Sequence, residues 1–348
     1  MYRYVPILKT KQGELKGLAQ VDALLIPNMT PLFELLPDLF NQTKTRPDSD
    51  SIMAHAVRSL NMAWPHPLPF FLDGGSLPPG LLQWLPAISH TVAVAEMMPI
   101  TVTGPERTLE YQEAVRQTRQ LTNGDLCFRV QAGSRSMADI NNGIDGLLRM
   151  HSIMPQKVHL VFDLHTVSTL MFGASQTVAN LVNGIASLHE WKTFTIAGTG
   201  YPETLPIQAQ SAGLLPRNTW QLWSQMIREA SLVRVPAFGD YTINSAVPFE
   251  FEPYMHVSAK IRYTTNEDWL VIKGRSTRGS GFEQFHELAQ QLVERVEYCG
   301  PNFSAGDLYI NECANRREGP GNSTVWVQVG VNHHLTFVLR QLASLHAP

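Results

Sequence analysis

Charged side chains recur at or just after the ends of short apolar runs in this chain. The first run ends at Lys9, the second carries Glu34 and the third ends at Asp73. Later runs carry Arg129 and Asp163, and the last ends at Asp240-Tyr241. Lys9 and Arg129 can hold an anion such as a phosphate or carboxylate. Glu34, Asp73, Asp163 and Asp240 can bind a hard divalent metal, Mg or Mn, or serve as acid and base. Ordinary solvated strand ends, or charges that neutralise each other, remain open alternatives. A second group lies in IRYTTNEDWLVIKGRST, residues 261–277, where Arg262, Tyr263, Lys273 and Arg275 edge two strand-like segments. The segment Thr265-Asn266-Glu267-Asp268 is rich in turn formers and predicts a hairpin. Alternation sets Arg262 on the face opposite Ile261 and Tyr263, so Arg262 is expected to reach an anion site beside Arg129.

These residues need elements to position them. Eight apolar runs qualify as strands: 5–9, 30–35, 69–73, 91–97, 125–130, 158–164, 192–198 and 232–240. Continuous apolar runs of this length suit strands buried on both faces, as in a parallel sheet. The segments between them read as helices. In SDSIMAHAVRSLNMAW, Ile52, Ala56, Leu60 and Ala63 form one stripe. The rhythm predicts an α/β fold, a (β/α)8 barrel over 1–245, whose strand ends would converge on one face. A doubly wound open sheet is the rival, but no glycine-rich nucleotide loop follows the first strand. Residues 246–348 break the rhythm and are expected to pack on the barrel as a hairpin and helices.

Composition narrows the function classes. A net charge of -3 in 348 residues argues against a dedicated duplex nucleic-acid binder, which shows a basic excess. Three separated cysteines, Cys127, Cys299 and Cys313, form neither a CxxC motif nor a disulfide framework. No run reaches the roughly 18 apolar residues of a membrane span. The expectation is a cytoplasmic protein without a membrane partner. Walker, HExxH and kinase motifs are absent, and GASQT at 173–177 lacks the order of a nucleophile elbow. Adjacent His333 and His334 point different ways, so one at most faces a given site. His165, in DLHTVS, is a candidate at a strand end.

The order YVPILKTKQGE, TPLFEL, FGDYT, IRYTTNEDWLVIKGR and GDLYI…W…NHH resembles the phage and bacterial "beta protein" family, first named from a T-even phage protein. The resemblance spans almost the whole chain. It implies that Lys9, Glu34, Asp73, Arg129, Asp163, Asp240, Tyr241, Arg262 and Tyr263 stand at family-typical positions and that His334 belongs to the end motif. It also implies a setting of conflict between phage and bacterial host, and it assigns no reaction. The chain departs from the family pattern at GTGYPE, which includes Glu203.

Two functions follow as expectations. One is an enzyme of the hydrolase class, phosphodiesterase-like, acting on a phosphorylated ligand such as a nucleotide or a nucleic-acid end. Lys9, Arg129 and Arg262 would hold the phosphate, Glu34, Asp73, Asp163 or Asp240 would position a metal or activate water, and Tyr241, Tyr263 and His334 would contact the ligand. The other is a module that senses a ligand or engages a phage or host protein without chemistry.

Overall fold

Alternation along the first strand sets the plan of the molecule. Tyr4 and Leu8 pack outward with the helices, whereas Val5 and Ile7 join Leu32, Phe71, Val102, Cys127 and Val161 in a separate inner cluster. In the computed structural model, which describes residues 3–40, 49–122, 124–133, 135–247 and 257–345, eleven strands form two sheets. In chain order they are β1 (Tyr4–Lys9), β2 (Leu32–Glu34), β3 (Pro69–Asp73), β4 (Met98–Thr103), β5 (Leu126–Gln131), β6 (Val158–Thr166), β7 (Thr193–Thr199), β8 (Ser211–Pro216), β9 (Ala237–Asp240), β10 (Ser258–Thr264) and β11 (Asp268–Ser276). Strands β1 to β7 and β9 close a barrel in sequence order, and every pairing is parallel. This is a (β/α)8 barrel, as the strand–helix rhythm predicts.

Two of the eight predicted strands are corrected. The run 91–97 is not a strand: it finishes the helix Trp84–Val94, and the fourth strand is Met98–Thr103. An apolar run alone cannot separate a strand from a packed helix. The burial of Leu85, Ile88 and Val92 at helical spacing decides for the helix. Glu96 falls in the turn between them, with φ 62°. The eighth strand is shorter than 232–240. Val233 and Val235 are about half exposed, and Pro236 has no N–H for a ladder, so pairing starts at Ala237.

The second sheet is antiparallel, in the order β10-β11-β8. Its hairpin matches the predicted turn at 265–268, but β8 comes from between β7 and β9. The appended layer therefore draws on the barrel's own sequence as well as on residues after 246. The chain at 248–256, which enters the hairpin, lies outside the described residues. One face of the sheet buries Ala259, Ile261, Tyr263, Leu270 and Ile272 against Phe285, Leu288, Leu292, Ile310 and Trp326. The other face carries Lys260 and Arg262 toward the barrel rim, while Trp269 and Val271 join the barrel's outer core.

The last helix, Ser323–Ser344, locks both layers together. It packs on the helix Gln12–Ala19 so tightly that a Cβ on Gly13 would lie 2.7 Å from the carbonyl oxygen of Thr324. Its two histidines hold different elements. The His334 Nε2 lies 3.0 Å from Asp240 Oδ2, and Tyr4 donates to Asp240 Oδ1 at 2.6 Å. The His333 Nδ1 lies 2.8 Å from Asp307 Oδ2, and its Nε2 lies 2.8 Å from the carbonyl of Thr264. Both ring nitrogens of His333 thus face oxygen atoms, one of the preceding helix and one of the hairpin. The His333 and Asp307 side chains are fully buried. Removing Asp307 would leave the buried His333 ring and the Tyr263 hydroxyl without their shared partner. Asp307→Ala is expected to cost about 3–5 kcal/mol, read as a lowered midpoint in urea unfolding. An unchanged midpoint would show that the pair does not hold the last helix.

Candidate functional site

Three barrel strands repeat one local device at or near their ends. The N–H of Gly75 donates to Asp73 Oδ1 at 2.8 Å, that of His165 to Asp163 Oδ1 at 2.8 Å, and that of Thr242 to Asp240 Oδ1 at 3.0 Å. Asp73 and Asp240 thus cap the turns that leave their strands, and Asp163 holds the irregularity within β6. His165 and Thr242 take left-handed backbone at φ 57° and 58°. These aspartates have a structural role before any chemistry is considered.

Inward alternation brings Glu34, Asp73, Arg129, Asp163 and Tyr241 together in the barrel mouth. The guanidinium of Arg129 is the hub. Its Nε donates to Asp163 Oδ2 at 2.9 Å, and its Nη1 donates to Glu34 Oε1 and Asp73 Oδ2, each at 2.8 Å. Its Nη2 donates to the Tyr241 hydroxyl at 2.6 Å, and that hydroxyl donates onward to Asp163 Oδ2 at 2.6 Å. Arg107 completes the set with two bonds to Asp73, at 3.0 and 2.8 Å. A Cβ on Gly75 would occupy the space of the Arg107 guanidinium, so a larger residue there would have to displace it from Asp73. Burial pushes the Asp73 carboxyl up, but Arg107, Arg129 and the Gly75 N–H outweigh it and hold the group below the ordinary carboxylate range. The mouth is a self-satisfied ion network with one exception: Glu34 Oε2 is buried with no hydrogen-bond partner among the described residues.

Other sequence candidates fall elsewhere. Asp240 does not join the mouth network. It shares the phase of Phe238, which stacks on Tyr4 outside the barrel, and so meets His334 instead. His334 is fully buried in that seam. Tyr263 lies on the far face of the hairpin, donating to Asp307 at 2.6 Å and stacked on His333. Lys273 and Arg275 bond Ile207 and Gln210 in the approach to β8. His165 stands at the mouth, its ring edge-on to Tyr241 at 6.4 Å. The expected sharing of one anion site by Arg129 and Arg262 is also corrected. Arg129 spends its donors inside the mouth, while Arg262 bonds the carbonyl of Ile243 at 2.9 Å and Asn244 Oδ1 at 2.8 Å. Those contacts fix the loop after β9.

Arg262 instead lines a cavity of about 570 Å³ between the barrel rim, the hairpin and the start of the last helix. Four cationic side chains border it, Lys9, Lys11, Lys260 and Arg262, against two acids, Glu14 and Glu203. Glu203, from the GTGYPE departure, is exposed at the edge. Glu14 is buried and accepts the Lys9 N–H at 2.8 Å. Lys9 reaches the carbonyl of Ser245 at 3.0 Å, with its ammonium 5.6 Å from the Tyr241 ring centroid. Desolvation, with Arg262 and Lys273 nearby, lowers the Lys260 ammonium to about 8. The helix Gln12–Ala19 opens on the cavity with no side-chain cap on its first turn. Tyr201 and Asn244 also line it: the Tyr201 hydroxyl, pushed up by burial, is held back by the adjacent Arg262 guanidinium, and the buried Asn244 Nδ2 has no hydrogen-bond partner among the described residues. A buried orphan of this kind is costly unless a ligand or water answers it.

Several of these residues were legible and missed. Lys260 shares a face with Arg262 by simple alternation. Arg107 follows the true β4 by four residues and was hidden by the misplaced fourth strand. Tyr201 and Asn244 carry no sequence signal, since loops position them. Among the described residues, no group of three or more His, Cys, Asp or Glu is placed to hold a metal ion, and no helix is long and apolar enough to cross a membrane.

A family model described as Beta protein matches residues 4–340. No curated protein matches. Among solved structures, the YdjI aldolase from Escherichia coli K12 aligns over 99% of this chain and 92% of its own, at 9% identity and a TM-score of 0.39. That likeness is too weak to add to the fold read from the strand order.

Two outcomes test the mouth network. Arg129→Met is expected to destabilise by about 3–5 kcal/mol, because three buried carboxylates lose their shared cation. Chemical unfolding checks it, and a loss below about 1 kcal/mol would mean the network is not structural. The second concerns acid. The folded carboxyl of Asp73 is depressed, so its contribution is complete above the unfolded value of about 4 and is lost as pH falls through the folded one. Arg107→Met removes part of that depression. Its acid-unfolding midpoint should therefore lie at higher pH than the parent's.

Proposed function

The chain belongs to the Beta protein family, and we propose that it binds a phosphorylated small molecule in the cavity between hairpin and barrel rim. The observation that carries this reading is the gathering of four cationic side chains around one cavity whose lining also includes the polar residues Tyr201 and Asn244. Phosphate oxygens accept from all of them. The uncapped helix start at Gln12–Glu14 adds backbone N–H groups and a favourable dipole for an anion. The mouth network is the weaker anion site, because Arg129 has already committed its donors to carboxylates and a tyrosine.

In this reading the protein is a ligand-sensing module in conflict between phage and bacterial host, the setting that the family resemblance implies. Hydrolysis or transfer of the bound phosphate is the second reading. One feature favours it: Glu34, whose Oε2 has no hydrogen-bond partner among the described residues, pairs in register with Lys9, which borders the cavity. Phosphate release from a nucleotide by the parent but not by Glu34→Gln would support it.

Lys260 supplies the test of binding. Its ammonium sits among Arg262 and Lys273 of the sheet and faces a cavity edged by Lys9, Lys11 and Glu14. It is charged below about pH 8 and loses its proton above. Pyrophosphate affinity, measured by calorimetry, should fall as pH rises from 7 to 9, and Lys260→Met should weaken binding at pH 7 and flatten that profile. Arg262→Lys should weaken it as well, since an ammonium does not reproduce the fork that holds the loop and faces the cavity. Parent-like affinity in both variants would refute the site. Loss of phage restriction, or of phage growth, in the same variants would tie the cavity to biology.

A further inference from the structure

The cavity has a second character beside its charge. Phe282, Phe285 and Trp326 line it, and their rings form a parallel ladder. Phe285 stacks on Trp326 at 4.7 Å between centroids and 12° between planes, and Phe282 stacks on Phe285 at 6.4 Å and 13°. The inner two rings are buried, whereas Phe282 is 37% exposed. The ladder thus ends on Phe282, a partly exposed ring that lines the cavity. Gly281, at φ 67°, turns the chain so that Phe282 follows directly before the helix Gln284–Val293.

Resting on the phosphate-binding reading, we propose that the ligand is a nucleoside phosphate, whose base extends the ladder on Phe282 while its phosphates meet Lys9, Lys260 and Arg262. The volume, about 570 Å³, falls within the range of small-molecule sites. Flat rings in parallel favour a flat aromatic group over a flexible alkyl chain, because stacking extends an existing geometry. Tyr201 and Asn244 line the same cavity as the cations and suit the sugar–phosphate part. Stacking on one ring is indifferent to base identity, so the proposal names the class and not one base.

Calorimetry with AMP, ADP, ribose 5-phosphate, pyrophosphate and dodecyl phosphate separates the possibilities. AMP is expected to bind about tenfold more tightly than ribose 5-phosphate, the order of one base stacked on one aromatic ring. Phe282→Ala should remove that advantage and leave ribose 5-phosphate unchanged, and Phe282→Trp should retain it. Equal affinity for AMP and ribose 5-phosphate would overturn the nucleoside assignment while leaving the phosphate reading intact. Dodecyl phosphate tighter than AMP would overturn it in favour of an alkyl ligand. No binding of any of the five would overturn both readings. A parent-like AMP advantage in Phe282→Ala, with native circular dichroism, would also sink the stacking role.

Discussion

Arg129 is the constraint on which the barrel mouth depends. Glu34 and Asp73 end the neighbouring strands β2 and β3, Asp163 lies on β6 beside the strand of Arg129, and alternation turns all three inward. Three carboxylates at that depth repel one another and lose hydration. A single planar cation with five donors meets them at once, and Tyr241 bridges its remaining side to Asp163. Lysine offers one point charge and could not make this fork. The network therefore closes the top of the lumen, much as the apolar layers below fill it. It also explains why the cavity lies to the side of the mouth.

The hairpin is a middle layer. Its apolar face belongs to the helices after it, and its basic face belongs to the rim and cavity. Recruitment of β8 from the barrel sequence gives β11 a partner on each side, so only β8 and β10 are edges. Trp269 and Val271 seat the sheet on the barrel, which places Lys260 and Arg262 where the loop after β9 passes. A shift of one residue in the hairpin register would exchange the two faces and bury the cations.

The adjacent histidines of the last helix divide their work. His334 meets Asp240 and Tyr4 on the barrel, and the Thr264 hydroxyl at 2.7 Å. His333 meets Asp307 of the preceding helix and the Thr264 carbonyl. Barrel, hairpin and helical layer thus converge on Thr264. Lys9 at the end of β1 and Thr324 at the start of the last helix line one cavity because this seam holds them in place.

The sequence by itself determined the barrel. Apolar runs separated by helical stripes allow few other ways to bury both faces of so many strands. It also marked Glu34, Asp73, Arg129 and Asp163 as neighbours, because strand ends in such a barrel converge. Local pattern failed where two structures satisfy it equally: TVAVAEM suits a strand, but Leu85, Ile88 and Val92 make it a helix. At FGDYT, a single step of alternation decided whether Asp240 or Tyr241 faces the mouth. Only the tertiary structure showed that Arg129 is spent on carboxylates, since pairing depends on distances between strands far apart in sequence. The cavity was equally hidden. Tyr201, Asn244, Lys260 and Phe282 come from four separate segments, and no local pattern records which surfaces the packing of barrel, sheet and helix leaves uncovered.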